Sequence, residues 1–547
     1  MDFNTLDIII FTAYCLLIIG MGLFVSREKK GHEKNAQDYF LASKALPWWA
    51  VGASLIASNI SAEQFIGMSG SGFALGLAIS TYEWMAAATL VVVGVFFLPI
   101  YLKEGIYTMP QFLHRRYDSR VRLLMAVFWL LIYVFVNLTS VLYLGALSLQ
   151  TIMGVPLEYG IYGLAFFAMV YSIYGGLKAV AWTDVVQVCF LVAGGLATTY
   201  LALSMVGEGS VWDGLGKLRE AAPKHFSMIV QKGEMMIPDG EGGARDAYLD
   251  LPGLSVLIGS MWIINLTYWG CNQYITQRAL AAKSLNEAQK GMVFAGFLKL
   301  LMPLIVVVPG IAAYVIVQEG IDVPFVQAMT DASTSSIKSD KAYPALLQLL
   351  PSGLKGLAFA ALTAAIVSSL ASMTNSTSTI FTIDIFKSYI NKGITERKQV
   401  TVGRLTTLVA FVVAALVAPQ LRQLDQAFQY IQEYTGFVSP GVFAIFMFGF
   451  FWKKTTSDAA MTAAILTIPL SAMFKFLTPS LPFIDRMGVV FVILAVLMVV
   501  ISLVQGKGKD SPNAIEIDKK LFKTSSTFKV GAAIIILGLV VLYAVFW

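Results

Sequence analysis

Four ionisable residues, Glu63, Glu83, Asp184 and Lys299, stand where the surrounding sequence is almost wholly apolar. A charge at the centre of a bilayer costs roughly 2.5–3.5 kcal/mol or more, so such groups need partners or a polar cavity. An ion pair tying helices together would meet that need, and so would a water-filled path for a solute. The path fits better because other polar groups accompany the charges: Ser58-Asn59-Ile60-Ser61-Ala62-Glu63-Gln64, then Tyr82-Glu83, Asn265 with Tyr268, and Gln432 with Glu433. Carboxylate, amide and ammonium groups mixed with aromatic rings suit a neutral polyhydroxylated molecule. Each hydroxyl both donates and accepts, and ring faces cover the apolar C–H surface. That chemistry is sugar recognition. A zwitterionic amino acid would instead set its carboxylate on the N–H groups of an unwound helix, an alternative these residues leave open.

A second candidate is Ser368-Ser369, which follows Ala364-Ala365-Ile366-Val367 in an apolar segment. Two adjacent hydroxyls can help hold sodium, a hard cation that takes oxygen ligands, if a broken helix supplies free carbonyls beside them. By itself the pair is a weak signal, because a helical serine commonly bonds back to its own backbone. Other chemistries find no support. Cys15, Cys189 and Cys271 all sit in apolar stretches and give neither a disulfide framework nor a metal spacing. His32, His114 and His225 fall in separate polar connections, which argues against a zinc or haem centre. Gly70-Ser71-Gly72 lacks the third glycine of a dinucleotide loop, and the Asn-x-Ser/Thr matches at Asn59, Asn137, Asn265 and Asn375 lie inside apolar segments, where glycosylation is not credible.

The elements that must position these residues are membrane helices. The 547 residues are 57% hydrophobic and only 13% charged, with a mean hydropathy of +0.72, where soluble domains carry about 25% charged residues. Apolar windows fall near 6–26, 46–74, 77–101, 122–152, 158–176, 179–204, 252–276, 287–317, 353–382, 402–420, 426–452, 457–476, 487–505 and 528–547, which predicts fourteen spans. A soluble enzyme is excluded. The net charge of +6 does not indicate nucleic acid, because the basic residues cluster in short loops beside the spans and set topology. Residues 27–45 and 102–122 carry five Lys/Arg each, whereas 205–250 carries five against eight Asp/Glu. The basic loops are therefore predicted to be cytoplasmic, 205–250 extracellular and both termini outside. The first span begins with Asp2 and Asp7 and has no basic leader, so it reads as retained.

Two spans are interrupted by polar residues, at 58–64 and at 265–270, and they are five helices apart. A unit with an odd number of spans inserts upside down relative to its copy, so corresponding breaks point to an inverted repeat with a site at its interface. Polar patches packing helices together are the plainer explanation.

Long motifs now carry a resemblance. Leu46-Pro47-Trp48-Trp49, Ala57-Ser58-Asn59-Ile60-Ser61-Ala62-Glu63-Gln64-Phe65-Ile66-Gly67, Tyr171-Ser172-Ile173-Tyr174-Gly175-Gly176-Leu177, Ala181-Trp182-Thr183-Asp184, Tyr268-Trp269-Gly270, Gln273-Tyr274, Gln277-Arg278 and Gln429-Tyr430-Ile431-Gln432-Glu433-Tyr434-Thr435-Gly436 occur in order along the chain. In these the sequence resembles the sodium/solute symporter family, within it the sodium/glucose cotransporter group and its bacterial sodium/galactose symporters. The resemblance implies an all-α, LeuT-like fold of two inverted five-helix repeats. One helix and a cytoplasmic loop would occupy 1–45, the first repeat 46–204, an extracellular loop 205–250, the second repeat 251–452 and three further helices 453–547.

By motif position the resemblance also implies roles. Sodium would be held by the carbonyls of Ala57, Ile60 and Ala365 and the hydroxyls of Ser368 and Ser369, with Asp184 on its exit route. Sugar hydroxyls would meet Gln64, Glu83, Asn265, Lys299 and Gln432. Tyr268 would stack beneath the ring as inner gate, braced by Asn59, with Met68, Tyr82 and Phe428 closing above. Where the family's galactose-binding pattern has a serine, this chain has Ala86. The expectation is sodium-coupled uptake of a hexose, galactose or glucose, across the plasma membrane by alternating access, with sodium as coupling ion and no other cofactor. The alternatives are a polyol, amino acid or organic anion on the same fold, and a sugar sensor or channel.

Overall fold

The structure is a computed structural model, and it describes residues 4–25, 44–238, 243–330, 336–423 and 426–547. Most of the predicted basic loop 27–45, His32 included, lies outside the described residues. The chain is overwhelmingly helical. The first helix, α1 (Thr5–Val25), is followed by α2 (Trp48–Asn59), which stops at Ile60, an extended residue. A π-helical turn, Glu63–Met68, then leads into α3 (Ser69–Leu75), and α4 (Thr81–Phe96) comes next. Helix α5 (Leu157–Val206) runs for 50 residues, about 75 Å and so enough for two crossings; its apolar parts are Leu157–Ile173 and Val180–Val206.

Helices α6 (Gly253–Ile258) and α7 (Met261–Leu266) meet at a sharp bend. They are followed by α8 (Leu285–Glu319), α9 (Leu354–Thr379), α10 (Glu396–Val417), α11 (Ala427–Thr435), α12 (Ser439–Phe451), α13 (Ser457–Leu477), α14 (Phe483–Gly506) and α15 (Ser526–Val545). The segment 205–250 is not bare loop. It holds a helix, Val211–Ala221, and a two-stranded antiparallel pair, β1 (Met236–Pro238) with β2 (Ala244–Asp246). Arg245 donates to both carboxylate oxygens of Asp250 at 2.7 Å.

Among the described residues, ten helices are long and apolar enough to cross a membrane, or twelve if each of two bent pairs is one span. The expected fourteen is not reproduced. The 42-residue stretch Glu63–Glu104 counts as one there, although it is long enough for two crossings and turns at Gly76 (φ 68°), and the 50-residue α5 contributes one of its two crossings. The second interruption also moves. Residues 267–271 remain helical as a π turn, and the chain instead bends by 81° between Ile258 and Met261 and becomes extended at Asn272.

Helices α8 and α9 are largely buried in the bundle. Where α3 crosses α8, a Cβ on Gly310 would stand 2.2 Å from the Ser69 carbonyl, the close approach that small residues permit between membrane helices. At the start of α9, Asp7 of α1 is fully buried and accepts from the Gly353 and Gly356 amides at 2.7 and 3.0 Å. A carboxylate there satisfies orphan N–H groups at the positive end of the helix dipole. Asp7 thereby fixes the helix that carries Ser368 and Ser369.

Candidate functional site

The end of α2, the π turn Glu63–Met68, α4, α7 with its π turn, α8 and α11 line a small, half-open cavity of about 40 Å³, room for a few water molecules. It is lined by Asn59, Gln64, Met68, Tyr82, Glu83, Asn265, Tyr268, Lys299, Phe428 and Gln432, together with Glu63, Ala86, Ile264 and Trp269. All ten residues expected around a sugar therefore meet in one place. Ile264 and Trp269 were missed. Trp269 stands beside Tyr268 in the quoted motif, and only the helix's turn shows that it also faces inward.

The cavity's charge is set by one pair. Lys299 Nζ donates to Glu83 Oε2 at 2.5 Å, both side chains being almost fully buried. The same ammonium donates to Asn59 Oδ1 and lies 5.1 Å from the centre of the Trp269 ring. Asn59 Nδ2 in turn donates to the Tyr268 hydroxyl at 2.9 Å, and the Tyr274 hydroxyl donates to it at 2.6 Å. One side of the cavity is thus a single hydrogen-bonded chain from Glu83 to Tyr274. Tyr82 and Phe428, also in the lining, meet edge to face with their ring centres 5.1 Å apart.

Two polar atoms of the lining, Glu63 Oε1 and the Tyr82 hydroxyl, are buried with no hydrogen-bond partner among the described residues. Buried polar atoms left unpaired are uncommon in folded proteins, and these two belong to a cavity that water or a polar ligand can fill. Glu433, read together with Gln432 in the sequence, turns away from the cavity: Arg486 donates to it at 2.5 Å and Lys475 Nζ lies 3.2 Å from it.

The oxygen-rich candidate lies one helical break away. Because α2 stops at Asn59 and Ile60 is extended, the last carbonyls of the helix lose their usual amides. Ser369 donates toward the carbonyls of Ala57 at 3.3 Å and Ser58 at 3.5 Å. Ala57, Ile60 and Ala365 are fully buried, and Ala365 stands one turn before Ser369 on α9. The Ser368 hydroxyl is committed elsewhere, to Asp184 Oδ1, and Ser54 donates to Asp184 Oδ2 at 2.6 Å. Arg278 completes this cluster by donating to the Ser54 carbonyl at 3.1 Å, to Ser372 and to the Tyr274 carbonyl. Asp184 thus touches Ser368 directly. Ser54 and Arg278 were not anticipated, although Arg278, a charge inside a buried motif, signalled a need for partners.

The sodium:solute symporter family model matches residues 39–467. The chain belongs to this family. It is 53% identical over 547 residues to a sodium/glucose cotransporter of Vibrio parahaemolyticus, covering 99% of this chain and 98% of that one. It is 36% identical to the human sodium/myo-inositol cotransporter 2, over 84% of this chain and 68% of the relative. Among solved structures, a Na+-coupled sialic acid symporter in a substrate-bound outward-open state superposes with a TM-score of 0.77 at 22% identity, over 92% of this chain and 98% of the other. A nucleobase-cation-symport-1 family transporter in a closed conformation aligns at 0.51 and 14% identity, over 91% and 99%. The fold is the LeuT-like fold of sodium symporters, and this symporter is a multi-pass membrane transporter, not an enzyme.

Proposed function

We propose that the symporter couples sodium entry to uptake of a hexose, galactose or glucose, by alternating access across the plasma membrane, with both termini outside. The observation that carries this reading is the polar, ring-lined cavity at the first helix break. Its open polar atoms, its amides and its buried ion pair offer both donors and acceptors, while Tyr268, Trp269, Tyr82 and Phe428 supply ring faces. Gln64, Glu83, Asn265, Lys299 and Gln432 would take the sugar hydroxyls. Tyr268, held by Asn59 and Tyr274, would close the cytoplasmic side, and Met68, Tyr82 and Phe428 the outer side. The full-length relative from Vibrio parahaemolyticus supports the choice of sugar.

The carbonyls of Ala57, Ile60 and Ala365 with the hydroxyls of Ser368 and Ser369 form a donor set of oxygens alone, which suits sodium. Bound there, the ion would join α2 to α9 across the break, and on leaving it would pass Asp184, which the Ser368 hydroxyl touches. A 100 mV potential contributes about 2.3 kcal/mol per ion. Because the ion bridges two elements, its affinity differs between outward and inward states, and that difference drives the cycle.

In proteoliposomes, labelled galactose or glucose should accumulate only with an inward sodium gradient. Equal flux without sodium, or binding without any transport, would leave a channel or a sensor. A polyol is the second reading, favoured by the similarity to the myo-inositol cotransporter and by Ala86 at the cavity wall. Competition by unlabelled myo-inositol, galactose and glucose separates the two.

A further inference from the structure

On the face that bears residues 102–122, a groove of about 460 Å³ opens between the Leu130–Phe135 region, the π-helical continuation of α9 (Ile380–Ile390) and α10. Its walls include Leu131, Phe135, Phe386, Ile390, Leu405 and Val409. All but Phe386 are between 47% and 62% exposed, and in a membrane protein that exposure is to hydrocarbon. Apolar walls alone identify no occupant. The charges at one end do.

Residues 385–405 carry Lys387, Lys392, Arg397, Lys398 and Arg404 against the single acid Glu396, all of them exposed, once the buried Asp384 is left aside. Lys387 is exposed and follows Phe386, a wall residue, directly, so it stands beside the groove. Lys398 stands four residues before Val402, a wall residue of α10, and hence on the same helix face one turn nearer the end. This end is tied to the 102–122 face, since the Tyr389 hydroxyl donates to the Ser119 carbonyl at 2.8 Å and Arg122 Nε to Asp384 at 3.0 Å. A row of cations at the mouth of an apolar groove complements one kind of molecule, with a long hydrocarbon tail and a negative head.

We propose that this groove seats an acyl chain of an anionic phospholipid of the cytoplasmic leaflet, with its phosphate held by Lys387 and Lys398. The leaflet follows from the orientation proposed above, while the site itself does not depend on the transported solute. The groove wall 380–390 continues the helix that carries Ser368 and Ser369, so occupancy would steady the far end of the helix that meets the α2 break.

Native mass spectrometry of the purified full chain, offered phosphatidylglycerol or phosphatidylcholine with matched acyl chains, tests the site. Phosphatidylglycerol should be retained roughly tenfold or more over phosphatidylcholine, given the attraction of each surface cation for anionic lipid. Lys387→Gln/Lys398→Gln should abolish that preference, and Val409→Trp, which fills the groove, should lower retention of phosphatidylglycerol. Lys519→Gln/Lys520→Gln, which removes two exposed cations elsewhere, should leave the preference intact. Equal retention of the two lipids, an unchanged preference in Lys387→Gln/Lys398→Gln, or an equal loss in the control pair would overturn the proposal. The charge variants sit at exposed positions, so they decide the matter even if Val409→Trp does not fold.

Discussion

Removing either member of the Glu83–Lys299 pair should damage the symporter more than removing both. The two groups are 2.5 Å apart and almost fully buried. At an effective dielectric of about 20 their gross attraction is roughly 6–7 kcal/mol, but desolvation takes back several kcal/mol per ion, which leaves little net gain. Breaking the pair is different. Glu83→Gln strands an ammonium and Lys299→Met a carboxylate, each at a cost of about 3–5 kcal/mol. Lys299→Met also takes the donor from Asn59 Oδ1, and Asn59 holds the Tyr268 hydroxyl, so the damage reaches the cavity wall. The double variant strands no charge and should cost only about 1–3 kcal/mol, for the imperfectly paired amide. Unfolding by dodecyl sulfate titration in mixed micelles, run as a double-mutant cycle, reads the coupling. If the single losses sum to the double loss within about 0.5 kcal/mol, the pair is not one electrostatic unit and the reasoning fails.

Gln64→Ala and Asn265→Ala should each weaken sugar binding by roughly 1–3 kcal/mol, because each leaves buried hydroxyls unpaired; equilibrium binding with unchanged affinity in both would refute the pocket. Ser369→Ala should remove one of about five oxygen ligands and abolish sodium-driven accumulation while the protein stays folded. Wild-type sodium dependence of uptake at matched protein amounts would sink that assignment. His225 lies in the 205–250 segment, donates from Nε2 to the Phe73 carbonyl at 3.1 Å and stacks on Tyr314. Burial lowers its pKa from 6.5 to about 4, so the unfolded chain binds the proton first as pH falls. Stability should therefore be fully present above pH 6.5 and decline between there and pH 4, by roughly 3 kcal/mol in all. Thermal unfolding from pH 7 to 4 should show the decline, and His225→Gln should flatten it.

The sequence by itself determined that the chain is a helical membrane protein, because hydropathy over a window is a local sum that needs no partner. It also determined that Glu63, Glu83, Asp184 and Lys299 must find compensation, since the cost of a charge in hydrocarbon does not depend on the fold. The break after Asn59 was legible too, in a run of polar residues that would otherwise face lipid. Which groups compensate which was not legible. Lys299 meets Glu83 from 216 residues away, Asp184 meets Ser54 and Ser368, and Glu433 turns to Arg486 instead of joining Gln432. These choices depend on how helices pack, and no local window contains that. The number of spans is not fixed by apolar stretches alone: Glu63–Glu104 reads as two spans in sequence and is a single 42-residue apolar stretch in the structure, interrupted at Gly76. The second bend falls earlier than the polar residues suggest because Asn265 and Thr267 mark polarity, whereas the chain turns at Gly259 and Ser260, where α7 starts again on a new axis. Tertiary packing alone gathered residues from six separate elements around one cavity, because only the crossing of those helices brings their inward faces together.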